Sequence, residues 1–86
     1  MTLKPQQEMS SIIYNLMTPT SWERLEVHNL RDALYEAWDR SKFFKTPVTV
    51  VTRDDARRTQ NIVGSVYPDG SYIDVYNRKS RVENEY

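Results

Sequence analysis

A proline-led turn at residues 67–71 constrains the fold of this chain more than any other feature. Pro68 presets the backbone angle at the second position of a turn, Asp69 favours the third, and Gly70 can adopt the left-handed conformation that closes the loop. β-Branched and aromatic residues lie on both sides of the turn, so residues 61–77 are predicted to form a β-hairpin.

The turn also predicts which residues of the hairpin pair and which share a face. The predicted pairs, counted outward from a three-residue loop, are Tyr67 with Ser71, Val66 with Tyr72, Gly64 with Asp74 and Ile62 with Tyr76. We expect the face with more aliphatic residues at its centre to be buried; it consists of Val63, Ser65, Tyr67, Ser71, Ile73 and Val75. The other face, which carries Tyr72 and Tyr76, is expected to be partly exposed.

Two helices are predicted before the hairpin. In residues 5–17 a stripe of apolar residues recurs at helical spacing: Met9, Ile12, Ile13, Leu16 and Met17. Thr18-Pro19 ends this helix, because the residue before a proline is pushed out of the α region. Thr20 and Glu23 then have the spacing of a capping box, which predicts a second, longer helix ending at Ser41 or Phe44. Its predicted apolar arc consists of Trp22, Val27, Leu30, Ala33, Leu34, Ala37, Trp38 and Ser41.

The remaining segments complete an α+β fold. Thr46-Pro47 is followed by the β-branched run 48–52, which predicts a strand. Residues 53–60 are compatible with either a tight connection or a short helical turn capped by Asp54. The expected architecture is two N-terminal helices, short then long, packed on one face of a three-stranded antiparallel β-meander. Residues 1–77 would form this single domain, and residues 78–86 a charged C-terminal tail.

Composition limits the environment and the chemistry. The chain has 86 residues and no cysteine, so disulfides and thiolate metal sites are excluded. The hydrophobic fraction of 38% and charged fraction of 28% fit a globular domain. Neither a signal-peptide pattern nor an apolar run of membrane-spanning length is present, so we expect a cytoplasmic location and no membrane partner.

No motif in the sequence predicts an enzyme, a metal site or a cofactor. His28 is the single histidine and has no predicted partner that could orient its ring for catalysis. The adjacent carboxylates of Asp54 and Asp55 would point to opposite faces of a strand, which does not suit a hard cation. An acid–base nuclease remains an alternative only if His28 lies close to the arginines of the sheet.

The charge distribution and the exposed aromatics favour an interaction protein. Residues 1–41 carry four basic and six acidic side chains, whereas residues 42–81 carry eight basic and four acidic ones. We expect a non-enzymatic module, such as a regulator, inhibitor or adaptor, that acts by docking to a larger protein. The predicted contact residues are Tyr72, Tyr76, Arg53 and Arg78. A homodimer through the first predicted helix is a further alternative.

Nucleic-acid binding is the alternative function that the sequence leaves open. Exposed tyrosines beside cations could stack on bases while the cations pair with phosphates. The residues that would do so are Arg53, Arg57, Arg58, Arg78, Lys79 and Arg81.

Overall fold

The computed structural model describes residues 12–84, which form an α+β fold with a six-stranded antiparallel sheet and one α-helix. In chain order the elements are β1 (Ile12–Met17), β2 (Trp22–Arg24), α1 (Leu30–Phe44), β3 (Val48–Asp54), β4 (Thr59–Val66), β5 (Ser71–Asp74), β6 (Lys79–Arg81) and a 3₁₀ turn (Val82–Asn84). The strands are ordered β2-β1-β3-β4-β5-β6 across the sheet. The prediction of two helices on a three-stranded meander is therefore wrong, although the α+β class is right.

Strand β1 occupies part of the segment for which a first helix was predicted; residues 5–11 of that helix lie outside the described residues. Leu16 is fully buried against the core, whereas Ile13 and Met17 lie on the opposite face of the sheet. A strand that is apolar on both faces loses its two-residue alternation, and its spacing then resembles a helical stripe. The alternative of a homodimer through this segment is not tested and stays a prediction.

The helix starts later than the sequence predicts. A turn at Thr18 and Ser21, in which the Thr18 N–H donates to the Ser21 carbonyl at 2.9 Å, leads into β2. The cap is Asn29, whose side-chain oxygen accepts from the Asp32 N–H at 2.9 Å while its amide donates to the Asp32 carboxylate at 3.2 Å. Asn29 is therefore an N-cap whose side chain also contacts the Asp32 side chain, nine residues after the cap predicted at Thr20.

Most of the predicted apolar arc of α1 is confirmed. Ala33, Leu34, Ala37 and Ser41 are fully buried, and Leu30 and Trp38 pack beside them. The helix ends at Lys45, whose left-handed backbone (φ 59°) lets its N–H donate to the Ser41 carbonyl.

The hairpin has the predicted turn and nearly the predicted pairing. Gly70 has φ 90°, and its N–H donates to the Tyr67 carbonyl at 2.9 Å. Val66 pairs with Tyr72 and Gly64 with Asp74, as expected. The pair between Ile62 and Tyr76 does not form, because β5 ends at Asp74 and Tyr76 lies in the turn that follows. Residues 55–58, which the sequence left undecided, form the turn between β3 and β4.

The predicted burial of the two hairpin faces is inverted. Val66 and Tyr72 are 0% and 6% exposed and belong to the core with Leu34, whereas Val75 is 51% exposed. Val63 still packs against the core, since an irregularity in the β3–β4 pairing leaves it without a partner and turns it inward. The helix covers the face with Val66 and Tyr72, and this placement could not be predicted from the hairpin alone.

The predicted charged tail begins with sheet structure. Residues 79–81 form β6, which pairs with β5 through Ser80–Tyr72 and its neighbours. Val82 is fully buried, and its N–H donates to the Gly70 carbonyl at 2.9 Å. No helix within residues 12–84 is long and apolar enough to cross a membrane.

Candidate interaction surface

The strand side chains that point away from α1 form one continuous surface, which we call the open face. Strand pairing and alternation assign to it Ile13, Asn15, Met17, Trp22, Arg24, Thr49, Val51, Arg53, Gln60, Ile62, Ser65, Ser71, Ile73, Lys79 and Arg81. Within residues 12–84, the only helix packs on the other side of the sheet, and no strand is stacked on the open face.

Charge is sorted between the two faces of the sheet. Every charged strand residue on the open face is basic; these residues are Arg24, Arg53, Lys79 and Arg81. Every charged strand residue on the helix-covered face is acidic; these residues are Glu23, Asp54 and Asp74. Charge is therefore asymmetric across the sheet, independently of its distribution along the chain, and this arrangement favours a positive potential on the open face.

The cations of the open face differ in how far they are neutralised. Arg53 pairs with Asp55 at 2.9 Å, but both side chains are more than half exposed. Arg81 donates to the Asp69 carbonyl and pairs with Glu83 at 3.1 Å. Arg24 and Lys79 form no ion pair within the part of the chain that the structure describes.

The centre of the open face mixes apolar and polar side chains. Val51, which is only 1% exposed, lies between Asn15 and Ile62 in adjacent strands. Ile62 is 54% exposed, and Trp22 at the β2 edge is also 54% exposed. These two large apolar side chains are in contact with solvent and are available to a partner.

The end of the open face near the β3–β4 turn contains a depression of about 520 Å³, lined by Arg53, Asp55, Arg58, Thr59 and Gln60. A second depression joins Arg24 to Arg53. His28 lines a third one with Arg24, away from the arginines of the turn. His28 thus lies near one arginine of the sheet, Arg24 of β2, but lines none of these depressions with Arg53 or Arg58. The nuclease alternative is not tested by this placement and stays a prediction. The described residues contain no cluster that could hold a metal ion.

The acidic residues of the helix-covered face already have partners. Arg40 of α1 forms a bidentate pair with Glu23, and the hydrogen bonds from Arg40 lower the pKa of the Glu23 carboxyl. Arg40 also pairs with Glu36 at 2.8 Å. Asp74 accepts from the backbone N–H of Arg78 at 3.0 Å, which lowers the pKa of Asp74.

The predicted protein-contact residues do not lie together. Tyr72 is buried under α1, so its expected exposure is wrong and it can offer no side-chain surface to a partner. Tyr76 is 76% exposed in the turn after β5, with the Arg78 guanidinium 5.2 Å from its ring centre. Arg53 lies on the open face, at the far end of a different strand.

The predicted nucleic-acid residues are partly brought together. Arg53, Lys79 and Arg81 lie on the open face, and Arg58 borders it. Arg57 projects from the β3–β4 turn, where it pairs with Asp54 at 3.8 Å. Sequence reasoning missed Trp22 and Arg24, because residues 22–24 were assigned to the helix; the β-branched and aromatic run 12–14 was the available signal for strands in this region.

Comparison with known proteins gives no assignment: no family model, no curated protein and no solved structure matches this chain.

Proposed function

We propose that the protein is a non-enzymatic interaction module that docks to a larger protein through the open face of its sheet. The observation that carries the proposal is the composition of this face, which combines the exposed apolar side chains of Ile62 and Trp22 with cations and lacks any acidic strand residue. Apolar side chains supply most of the free energy of a protein interface, and surrounding charges set orientation and specificity.

The centre of the open face favours a protein over nucleic acid as the partner. Single strands are held by bases stacked on aromatic rings, with cations along the phosphates. The one aromatic residue among the strand side chains of the open face is Trp22, at the edge strand β2. Among the central strands, Ile62 provides exposed apolar contact area but no ring, and Val51 beside it is buried. Nucleic acid is therefore the second candidate, supported only by the cations.

The test compares the open face with an equally apolar surface elsewhere. Ile62→Asp places a charge on the open face, and Phe43→Asp places one on α1, where Phe43 is 77% exposed. The tagged full-length chain is used to capture the partner from the source organism. The affinity of the purified partner is then measured for the wild type and both variants, each first checked for folding by circular dichroism.

We expect Ile62→Asp to weaken binding by at least about tenfold and Phe43→Asp to leave it within about twofold. Loss of binding in Phe43→Asp alone would place the contact on the helix and overturn the proposal. If nucleic acid is captured instead, and if it displaces the partner from the open face completely, the second candidate is supported.

A further inference from the structure

We infer that the segment of the partner that occupies the open face is acidic and apolar, with carboxylates that meet cations at both edges of the sheet. This inference rests on the proposed function and specifies the chemistry of its partner. It depends on where the cations lie, on which of them are already neutralised, and on which occupants their charge excludes.

The cations lie at opposite edges of the open face. Arg24 is on β2, and Lys79 is on β6, which are the two edge strands of the sheet. Five strand spacings of about 4.8 Å each separate these strands, or about 24 Å in total. The strip between them contains the apolar residues Met17, Ile62 and Ile73 and the polar residues Asn15, Thr49 and Ser65. A partner that covers the strip therefore reaches both cations.

The same two cations have no ion pair within residues 12–84, whereas Arg53 and Arg81 each have one. An apolar partner would remove water from Arg24 and Lys79 without replacing it, and an unpaired charge at an interface is costly. Carboxylates of the partner would remove this cost. Arg24 and Lys79 should therefore contribute more to binding than Arg81, which already bonds to Asp69 and Glu83.

A second copy of the chain is a poor occupant of the open face. A symmetric dimer would place the same surface on itself, so the cations of one copy would meet those of the other. Like charges brought together at an interface oppose association. An acidic segment has the complementary charge, and its apolar side chains can pack against the apolar residues of the strip.

The inference is tested with two synthetic helical peptides of about 20 residues that share one leucine stripe. One peptide carries glutamate and the other lysine at every remaining position. Binding to the full-length ¹⁵N-labelled protein is followed by NMR, and a single-stranded oligo-dT of about 12 nucleotides serves as the nucleic-acid probe. The matched variants are Arg24→Glu with Lys79→Glu, and Arg57→Glu, a side chain that is 82% exposed but outside the open face.

We expect the glutamate peptide to bind and to shift amides of β1, β2, β5 and β6, while the lysine peptide does not bind. The double variant should bind the glutamate peptide at least about tenfold more weakly, and Arg57→Glu within about twofold. Added salt should weaken the wild-type complex. The inference is overturned if neither peptide binds, if both bind equally, if the shifts lie on α1, or if oligo-dT binds and the glutamate peptide does not.

The purified natural partner separates this inference from the proposed function. If Ile62→Asp abolishes its binding but the Arg24→Glu, Lys79→Glu double variant binds as the wild type does, the open face is the docking surface and the partner segment is not acidic. If Ile62→Asp has no effect on the natural partner, the proposed function itself fails.

Discussion

The two faces of the sheet are formed by the same strands, but their side chains differ in burial and in ion pairing. On the helix-covered face, apolar residues such as Val50 and Val66 are fully buried, and the carboxylates of Glu23 and Asp74 each have partners within the chain. On the open face, Ile62 is half exposed, and Arg24 has no ion pair in the described residues. The helix-covered face therefore accounts for stability, and the open face is available for binding.

The largest expected effect is the loss of stability when a buried side chain is truncated, which should occur on the helix-covered face but not on the open face. Leu34→Ala removes a fully buried side chain from α1 and should cost about 2–5 kcal/mol of unfolding free energy, enough to unfold a marginally stable domain. Ile62→Ala, on the open face, should change it by no more than about 0.5 kcal/mol. Urea denaturation of both variants checks this, and equal losses would mean that the open face is packed.

A methyl group added at Gly64 gives the next largest effect. A Cβ there would lie 2.6 Å from the Ile73 carbonyl oxygen and 2.7 Å from the Tyr72 ring. Gly64→Ala should therefore destabilise the protein by about 1–3 kcal/mol. Ser65→Ala changes the adjacent residue on the open face and should cost less than about 1 kcal/mol. Denaturation midpoints that fall equally would refute the close packing of Tyr72 over the glycine.

The Glu23–Arg40 pair offers a smaller test of how charge is satisfied on the helix-covered face. Glu23→Gln leaves the Arg40 guanidinium, which is 25% exposed, without its bidentate carboxylate. We expect a loss of about 0.5–1 kcal/mol, because the pair is only partly buried. Asp55→Asn removes the exposed pair with Arg53 and should have almost no effect. Thermal unfolding of both variants at low salt measures the two losses of stability. Equal losses would contradict the difference expected between the two ion pairs.

The smallest expected effect is the change of folding stability with pH. Hydrogen bonds lower the pKa of Glu23, Asp69, Asp74 and Glu83 in the folded chain. The unfolded chain consequently binds more protons near the ordinary carboxyl pKa of about 4. Stability should be constant above about pH 6 and should fall as the pH drops below about 5. A melting temperature that is unchanged between pH 7 and pH 3 would contradict these contacts.

Part of the proposed binding surface could be predicted from the sequence. Arg53, Lys79 and Arg81 were among the six cations predicted for the nucleic-acid alternative, and these three lie on the open face. Trp22 and Arg24 were missed because the helical spacing extends across the turn that precedes β2. Tyr72 was placed on the wrong face, since a hairpin considered alone has two faces of similar hydrophobicity and no helix to choose between them.

The sequence by itself determined the structures whose causes lie within a few residues. The turn at Gly70, the pairing of Val66 with Tyr72, and most of the apolar arc of α1 follow from local backbone preferences and side-chain spacing.

Only the tertiary structure decided which side of the sheet α1 covers and that residues 12–17 form a strand. Both depend on contacts between segments far apart in the chain, and the free energy of burying one face against α1 outweighs the local helical pattern. The proposed binding surface is a consequence of this choice, since covering one face of the sheet with the helix leaves the cations together on the other.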